Sequence, residues 1–286
     1  MVTKTYSEEQ QIYWKIEPHF LYDYVNFANR FRTLQAHDNG LSQYQMKHDG
    51  KRMYLVLLTE LYQKSLEDLG AVLIALKRRF NQDCTCRYQK RFNSPETPIT
   101  YTLFHYEPKE ANISATVDAY PSETIMVSAL NVCVLEKLNP VLVLPHLNTK
   151  VCYAKLFQML KDWSGDQNKR LKAYNKIKHA GIVVGSAKIF NPANDNVPAV
   201  VYTDHNAGFT DHPLVVHCLE YTEMEFQLLQ DGIVKIARHI KDLIAIYLIA
   251  YYPDFLKEKG FTSPLLFLID RKPNEKDTDA GYSMFV

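Results

Sequence analysis

Two long stretches of the sequence place a large apolar residue at every third or fourth position. In the first they are Leu55, Leu58, Leu61, Tyr62, Leu66, Leu69, Leu73 and Leu76. In the second they are Phe226, Leu229, Ile233, Ile236, Ile240, Ile244 and Leu248. An α-helix turns once in about 3.6 residues, so this spacing gathers the apolar side chains on one face. A strand needs strict alternation, and neither stretch has it. A stripe this wide has to be buried against other elements. The predicted fold class is therefore mainly α: an antiparallel helical bundle, with a small β-hairpin inserted before the last long helix.

The ends of these helices carry matching signals. Lys77-Arg78-Arg79 closes the first with cations, where the helix dipole is negative. Thr222 with Glu225 has capping-box spacing at the start of the second, and Pro253 ends it. A further helix is expected from Ser7 through Ile12, Ile16, Phe20, Tyr24, Phe27 and Phe31, with a break or kink at Pro18. Others are expected over 122–138 and 149–163. Residues 81–108 hold three prolines and read as irregular, except for alternation over 99–106 that predicts one short strand. Ile182 to Phe190 and Val197 to Tyr202 are β-rich runs around the turn Asn191-Pro-Ala-Asn-Asp-Asn196, the hairpin signal, and Leu214 to Cys218 is a candidate third strand.

Composition excludes several classes. The chain has 286 residues, 47% hydrophobic and 23% charged, which is globular rather than disordered. A formal net charge of +1 gives no global attraction to nucleic acid or membrane, so any such attraction is local. The first residues show no secretory signal, and the longest apolar run, 243–252, is too short to span a bilayer. Five cysteines, an odd number, fit reduced thiols, and a cytoplasmic location is expected. Cys84-Thr-Cys86 lacks zinc spacing. His205, His212 and His217 with Asp204 and Asp211 fit no closed zinc pattern either. No metal and no cofactor is expected, and there is no phosphate-cradling glycine loop and no serine-hydrolase elbow.

The densest polar cluster is Arg170-Leu-Lys-Ala-Tyr-Asn-Lys-Ile-Lys-His-Ala-Gly181. It reads as a helix capped by Asp162, Ser164 or Asp166, with a break or kink at Gly165, and stopped at Gly181. Asn175 and His179 are four apart and share a face; Tyr174 and Lys178 form the next row. An amide, an imidazole and the cations Arg170, Lys176 and Lys178 are thus drawn together. Metal-free RNA cleavage needs a base near the 2′-hydroxyl, an acid for the leaving oxygen and positive charge on the phosphate. Histidine is the side chain whose ordinary pKa suits that work near neutral pH. The same residues also suit a plain helix terminus, with the imidazole on the last carbonyls and the lysines in solvent.

A helix carrying Tyr-Asn-Lys-Ile-Lys-His, stopped by a small residue and glycine, then a hairpin and a long helix, resembles the HEPN superfamily. Those proteins are all-α bundles of prokaryotic toxin and phage-defence systems. The resemblance covers 166–252, under half the chain. Ribonuclease members carry an arginine, a polar residue that is often asparagine, then a short gap to a histidine. The resemblance makes Asn175 and His179 the candidate catalytic residues, with Arg170, Tyr174, Lys176 and Lys178 as candidate RNA contacts. The arginine does not carry over, because Tyr174 stands just before Asn175. The family pairs its motif helices across a dimer, so a homodimer is expected, with RNA and a protein of a defence system as candidate partners and no membrane. Two functions stand open. One is a metal-independent ribonuclease or RNA-binding effector. The other is a non-catalytic protein for assembly or ligand sensing, its motif degenerate at Tyr174. The expected organisation is an N-terminal helical region over 1–148, a HEPN-like core over 149–260 and a tail over 261–286.

Overall fold

The computed structural model describes residues 8–27, 36, 48–79, 97–105, 149–178, 182–186, 198–203, 216–220 and 222–259. In chain order the described elements are α1 (Glu8–Phe27), α2 (His48–Arg79), α3 (Ile99–His105), α4 (Thr149–Lys178), β1 (Ile182–Ser186), β2 (Pro198–Thr203), β3 (Val216–Glu220), α5 (Glu223–Tyr251) and α6 (Pro253–Glu258). The fold is mainly α-helical. The helix expected over 122–138 and most of the expected irregular stretch lie outside the described residues.

The chain divides into two compact units. The first comprises Met1–Asn29, Leu66–Gly165 and Ile236–Val286; the second comprises Arg30–Ser65 and Asp166–Lys235. These units interleave along the sequence. In the first unit, Leu66, Leu69, Leu73 and Leu76 of α2 are buried, as are Ile236, Ile240, Leu243, Ile244, Tyr247 and Leu248 of α5. In the second, Leu55, Leu58, Leu61 and Tyr62 of α2 are buried, as are Ala173 and Tyr174 of α4 and Phe226, Leu229 and Ile233 of α5. Each buried apolar side chain contributes roughly 1.5–3 kcal/mol relative to exposure, so the stripes read from the sequence are what hold these helices in place.

The second unit carries a three-stranded antiparallel sheet in the order β1-β2-β3. Its register pairs Val184 with Val200 and Val201 with Cys218. The capping box at the start of α5 forms as the spacing predicts. Thr222 N donates to Glu225 Oε2 at 2.8 Å, and Glu225 N donates to Thr222 Oγ1 at 3.3 Å. Two donors that the helix leaves without partners are satisfied reciprocally.

Four local expectations are corrected. Residues 99–105 are helix, not strand: Ile99, Thr100, Thr102 and Leu103 are buried while Phe104 and His105 are exposed. That is a helical burial pattern, and Pro98 O accepts from Thr102 N at 3.4 Å to open the turn. Gly165 does not break α4, which runs unbroken past it. Pro18 does not end α1. The proline removes one N–H from that helix without stopping it. The apolar stripe of α1 is not wholly buried: Ile12 is 59% exposed and Ile16 38%, while Glu17, Pro18 and Leu21 face inward.

Candidate functional site

The cluster read from the sequence lies at the C-terminal end of α4. Arg170 and Tyr174 are one turn apart on its inner face, 7% and 1% exposed. Neither is exposed. The Lys64 ammonium of α2 stands 5.9 Å from the Tyr174 ring centroid, within cation–π range. Asn175 is exposed and Lys176 half-buried. Lys178 is the last residue of α4. Its side chain, and all of His179, lie outside the described residues. The helix thus turns the tyrosine and the arginine inward and the asparagine outward, which is what an offset of one residue does at about 100° per step.

Of the histidines and aspartates weighed for a metal, His217 is in β3 and the others lie outside the described residues. Among the described residues no group of three His, Cys, Asp or Glu is placed to hold a metal ion. Among them, too, no helix is long and apolar enough to cross a membrane.

The sequence reading missed a second polar cluster, in the first unit. Glu17 of α1 is fully buried. Its Oε2 accepts from Thr100 N at 3.1 Å and from Thr100 Oγ1 at 3.2 Å. Its Oε1 accepts from Tyr247 OH at 2.5 Å and Tyr252 OH at 2.8 Å. Arg79 Nε donates to Tyr247 OH at 3.2 Å. The Arg79 guanidinium carbon lies 4.6 Å from the Trp14 ring centroid and 5.1 Å from that of Tyr251. One carboxyl therefore ties α1 to α3, to the end of α5 and to the joint before α6.

Burial pushes the Glu17 carboxyl above its ordinary value, against hydrogen bonds from Tyr247, Thr100 and Tyr252 and the more distant charge of Arg79. Burial and the Glu17 charge also push the Tyr247 and Tyr252 phenols up, so both stay protonated and donate. A carboxylate offers about four lone-pair sites, and four donors fill them. Nothing is left for a substrate proton, so Glu17 is a structural hub and not a general base. Two signals in the sequence bear on it. Glu17 stands four residues from both Tyr13 and Leu21, on the turn of Pro18. A carboxylate in that register of an amphipathic helix requires partners if it is buried.

Comparison with protein-family models, with curated proteins and with solved structures finds no match for this chain.

Proposed function

We propose that the chain is a HEPN-like helical protein without nuclease activity, serving in assembly or in sensing a ligand. The observation that carries this reading is Tyr174. It occupies the place of the family's arginine, and it is buried under Lys64 rather than open to a phosphate. A transition-state phosphate is stabilised by charge held within hydrogen-bond reach. With Arg170 also buried, the face next to Asn175 presents no cation from either position. The test is a mixed RNA pool incubated without metal with the wild-type protein, His179→Ala and Asn175→Ala. No cleavage by any of them is expected. Cleavage by the wild type that His179→Ala abolishes overturns the proposal.

A second reading is a metal-independent ribonuclease or RNA-binding effector of a prokaryotic defence or toxin system, acting as a homodimer. The exposure of Asn175 beside half-buried Lys176 favours it. Phosphate contacts release counterions, so RNA binding that falls steeply with salt, and less steeply in Lys176→Ala, supports this reading. Absence of binding at low salt removes it.

A further inference from the structure

We propose that the exposed face of α1 binds a second copy of itself, antiparallel and about a two-fold axis at the level of Trp14. The inference rests on the assembly reading above and gives that assembly a surface. Glu9, Ile12, Ile16 and His19 follow one another along α1 at intervals of three, four and three. At about 100° per residue the four positions fall in one strip about 80° wide. Buried Glu17, Pro18 and Leu21 lie on the other side of the helix.

The middle of the strip is apolar and in solvent. Ile12 is 59% exposed and Ile16 38%. A single exposed isoleucine is ordinary, whereas a contiguous patch marks a place where something binds. Here the patch is contiguous. Ile16 stands between Tyr13, three residues before it, and Phe20, four after it. The ring of Phe104, 53% exposed on α3, lies against that pair, 6.1 Å from Tyr13 and 4.6 Å from Phe20 between centroids. All of these residues belong to the first unit.

The spacing selects the occupant. Three, four, three reads the same from either end. A two-fold axis across α1 at Trp14 therefore sets position 12 of one copy opposite position 16 of its partner, and position 9 opposite position 19. The two inner positions are both isoleucine, and the two outer ones are an acid and a histidine. Apolar meets apolar at the centre and acid meets imidazole at each end, so the strip is complementary to itself. The same axis keeps both copies of α3 on one side of the pair, so Phe104 extends the apolar seam along that side. A lipid surface fits the strip less well, because Glu9 and exposed Asp23 share it and repel an anionic bilayer.

Sedimentation of the full chain over a range of concentrations tests this. The wild type is expected to pass reversibly from monomer to dimer. Ile12→Lys and Ile16→Lys are each expected to weaken association about tenfold or more, because every substitution enters the contact twice. Both side chains are exposed on the protomer, so both variants should unfold thermally with the wild type. His19→Glu sets acid against acid and should weaken the dimer, and adding Glu9→Lys to it should restore association. A double variant that fails to restore it overturns the two-fold register. A dimer that both lysine variants leave intact overturns this surface while assembly itself stands. A wild type that is monomeric at every concentration overturns the pairing. If that monomer floats with vesicles of anionic lipid and Ile16→Lys does not, the face belongs to a membrane surface instead.

Discussion

Gly232 of α5 lies against the ring of Tyr62 of α2: a Cβ on Gly232 would come 2.7 Å from Tyr62 Cε2 and 3.2 Å from its Cδ2. Tyr62 is 3% exposed, so its ring cannot swing into solvent. Within a helix, Gly→Ala ordinarily gains about 1 kcal/mol of helix propensity. Overpacking ordinarily costs about 1–3 kcal/mol, and here it opposes that gain. Gly232→Ala is expected to lower the midpoint of thermal unfolding. In a Tyr62→Ala background the same change should raise it, because the clash is gone and the propensity gain remains. A double-mutant cycle with no coupling would show that the glycine is not there for this contact.

The capping box predicts a smaller, local effect. Thr222 and Glu225 are joined by 2.8 and 3.3 Å bonds at the exposed start of α5. Thr222→Ala is expected to cost about 1 kcal/mol, and Thr222→Ser or Thr222→Asp much less. Glu225→Ala should cost less than Thr222→Ala, and the two losses should add, since each substitution removes one side-chain acceptor and leaves the backbone donor of the other bond in place. Chemical denaturation of the wild type and these variants checks this.

These two contacts mark what the sequence made legible. The box has both partners within one turn, so spacing alone reveals it. The stripes of α2 and α5 are long enough for periodicity to overrule any local ambiguity, and with them the mainly helical class. Contacts far apart in sequence behave otherwise. Thr100 and Tyr247 lie 83 and 230 residues from Glu17, and no local pattern announces them. The inward face of α1 is set by those partners, which is why Ile12 and Ile16, the apolar residues that periodicity selects, are left partly in solvent. Residues 99–105 alternate like a strand yet fold as a helix for the same reason: a seven-residue helix is too short for its period to stand out, and its first turn is held by a carboxylate from another helix. Tyr174 was ambiguous on its face. A tyrosine suits a half-wet surface and a core alike, and only burial by neighbouring elements decides between them.

Glu17 also sets a stability prediction. Glu17→Ala removes the acceptor for four donors, two of them on buried Thr100. Each buried polar group left without a partner costs about 1–3 kcal/mol, so a total of about 3 kcal/mol or more is expected. Glu17→Gln should cost clearly less. Its amide oxygen can keep Thr100 N, whose direction is fixed, while its NH₂ meets phenols that rotate to accept. Equal losses in the two variants, measured by thermal unfolding, would mean that shape and not hydrogen bonding holds the hub.

Arg79 is gripped between Trp14 at 4.6 Å and Tyr251 at 5.1 Å, with its Nε on Tyr247. A flat guanidinium stacks on two rings at once, and an ammonium does not. Arg79→Lys is therefore expected to cost about 1 kcal/mol although the charge is kept, and Arg79→Ala more. If Arg79→Lys unfolds with the wild type, only the charge matters at this position.

Tyr174→Arg puts an arginine where the proposed HEPN-like reading would call for one, and the two readings of function diverge on it. If the motif were an open site with one residue missing, the substitution would supply the charge and bring cleavage with it. The structure places the side chain in the core of its unit, 1% exposed, with the Lys64 ammonium 5.9 Å from the ring it would replace. A guanidinium there is desolvated and faces a like charge. Burying an uncompensated charge costs several kcal/mol, so a marked fall in thermal stability is expected, with no RNA cleavage. Tyr174→Phe, which keeps the ring, should remain folded and serves as the control. An arginine variant as stable as the wild type would mean that this face of α4 opens readily to solvent. If that variant also cut RNA in a way that His179→Ala abolished, the non-catalytic proposal would fail and the tyrosine would be the one change separating this chain from an active nuclease.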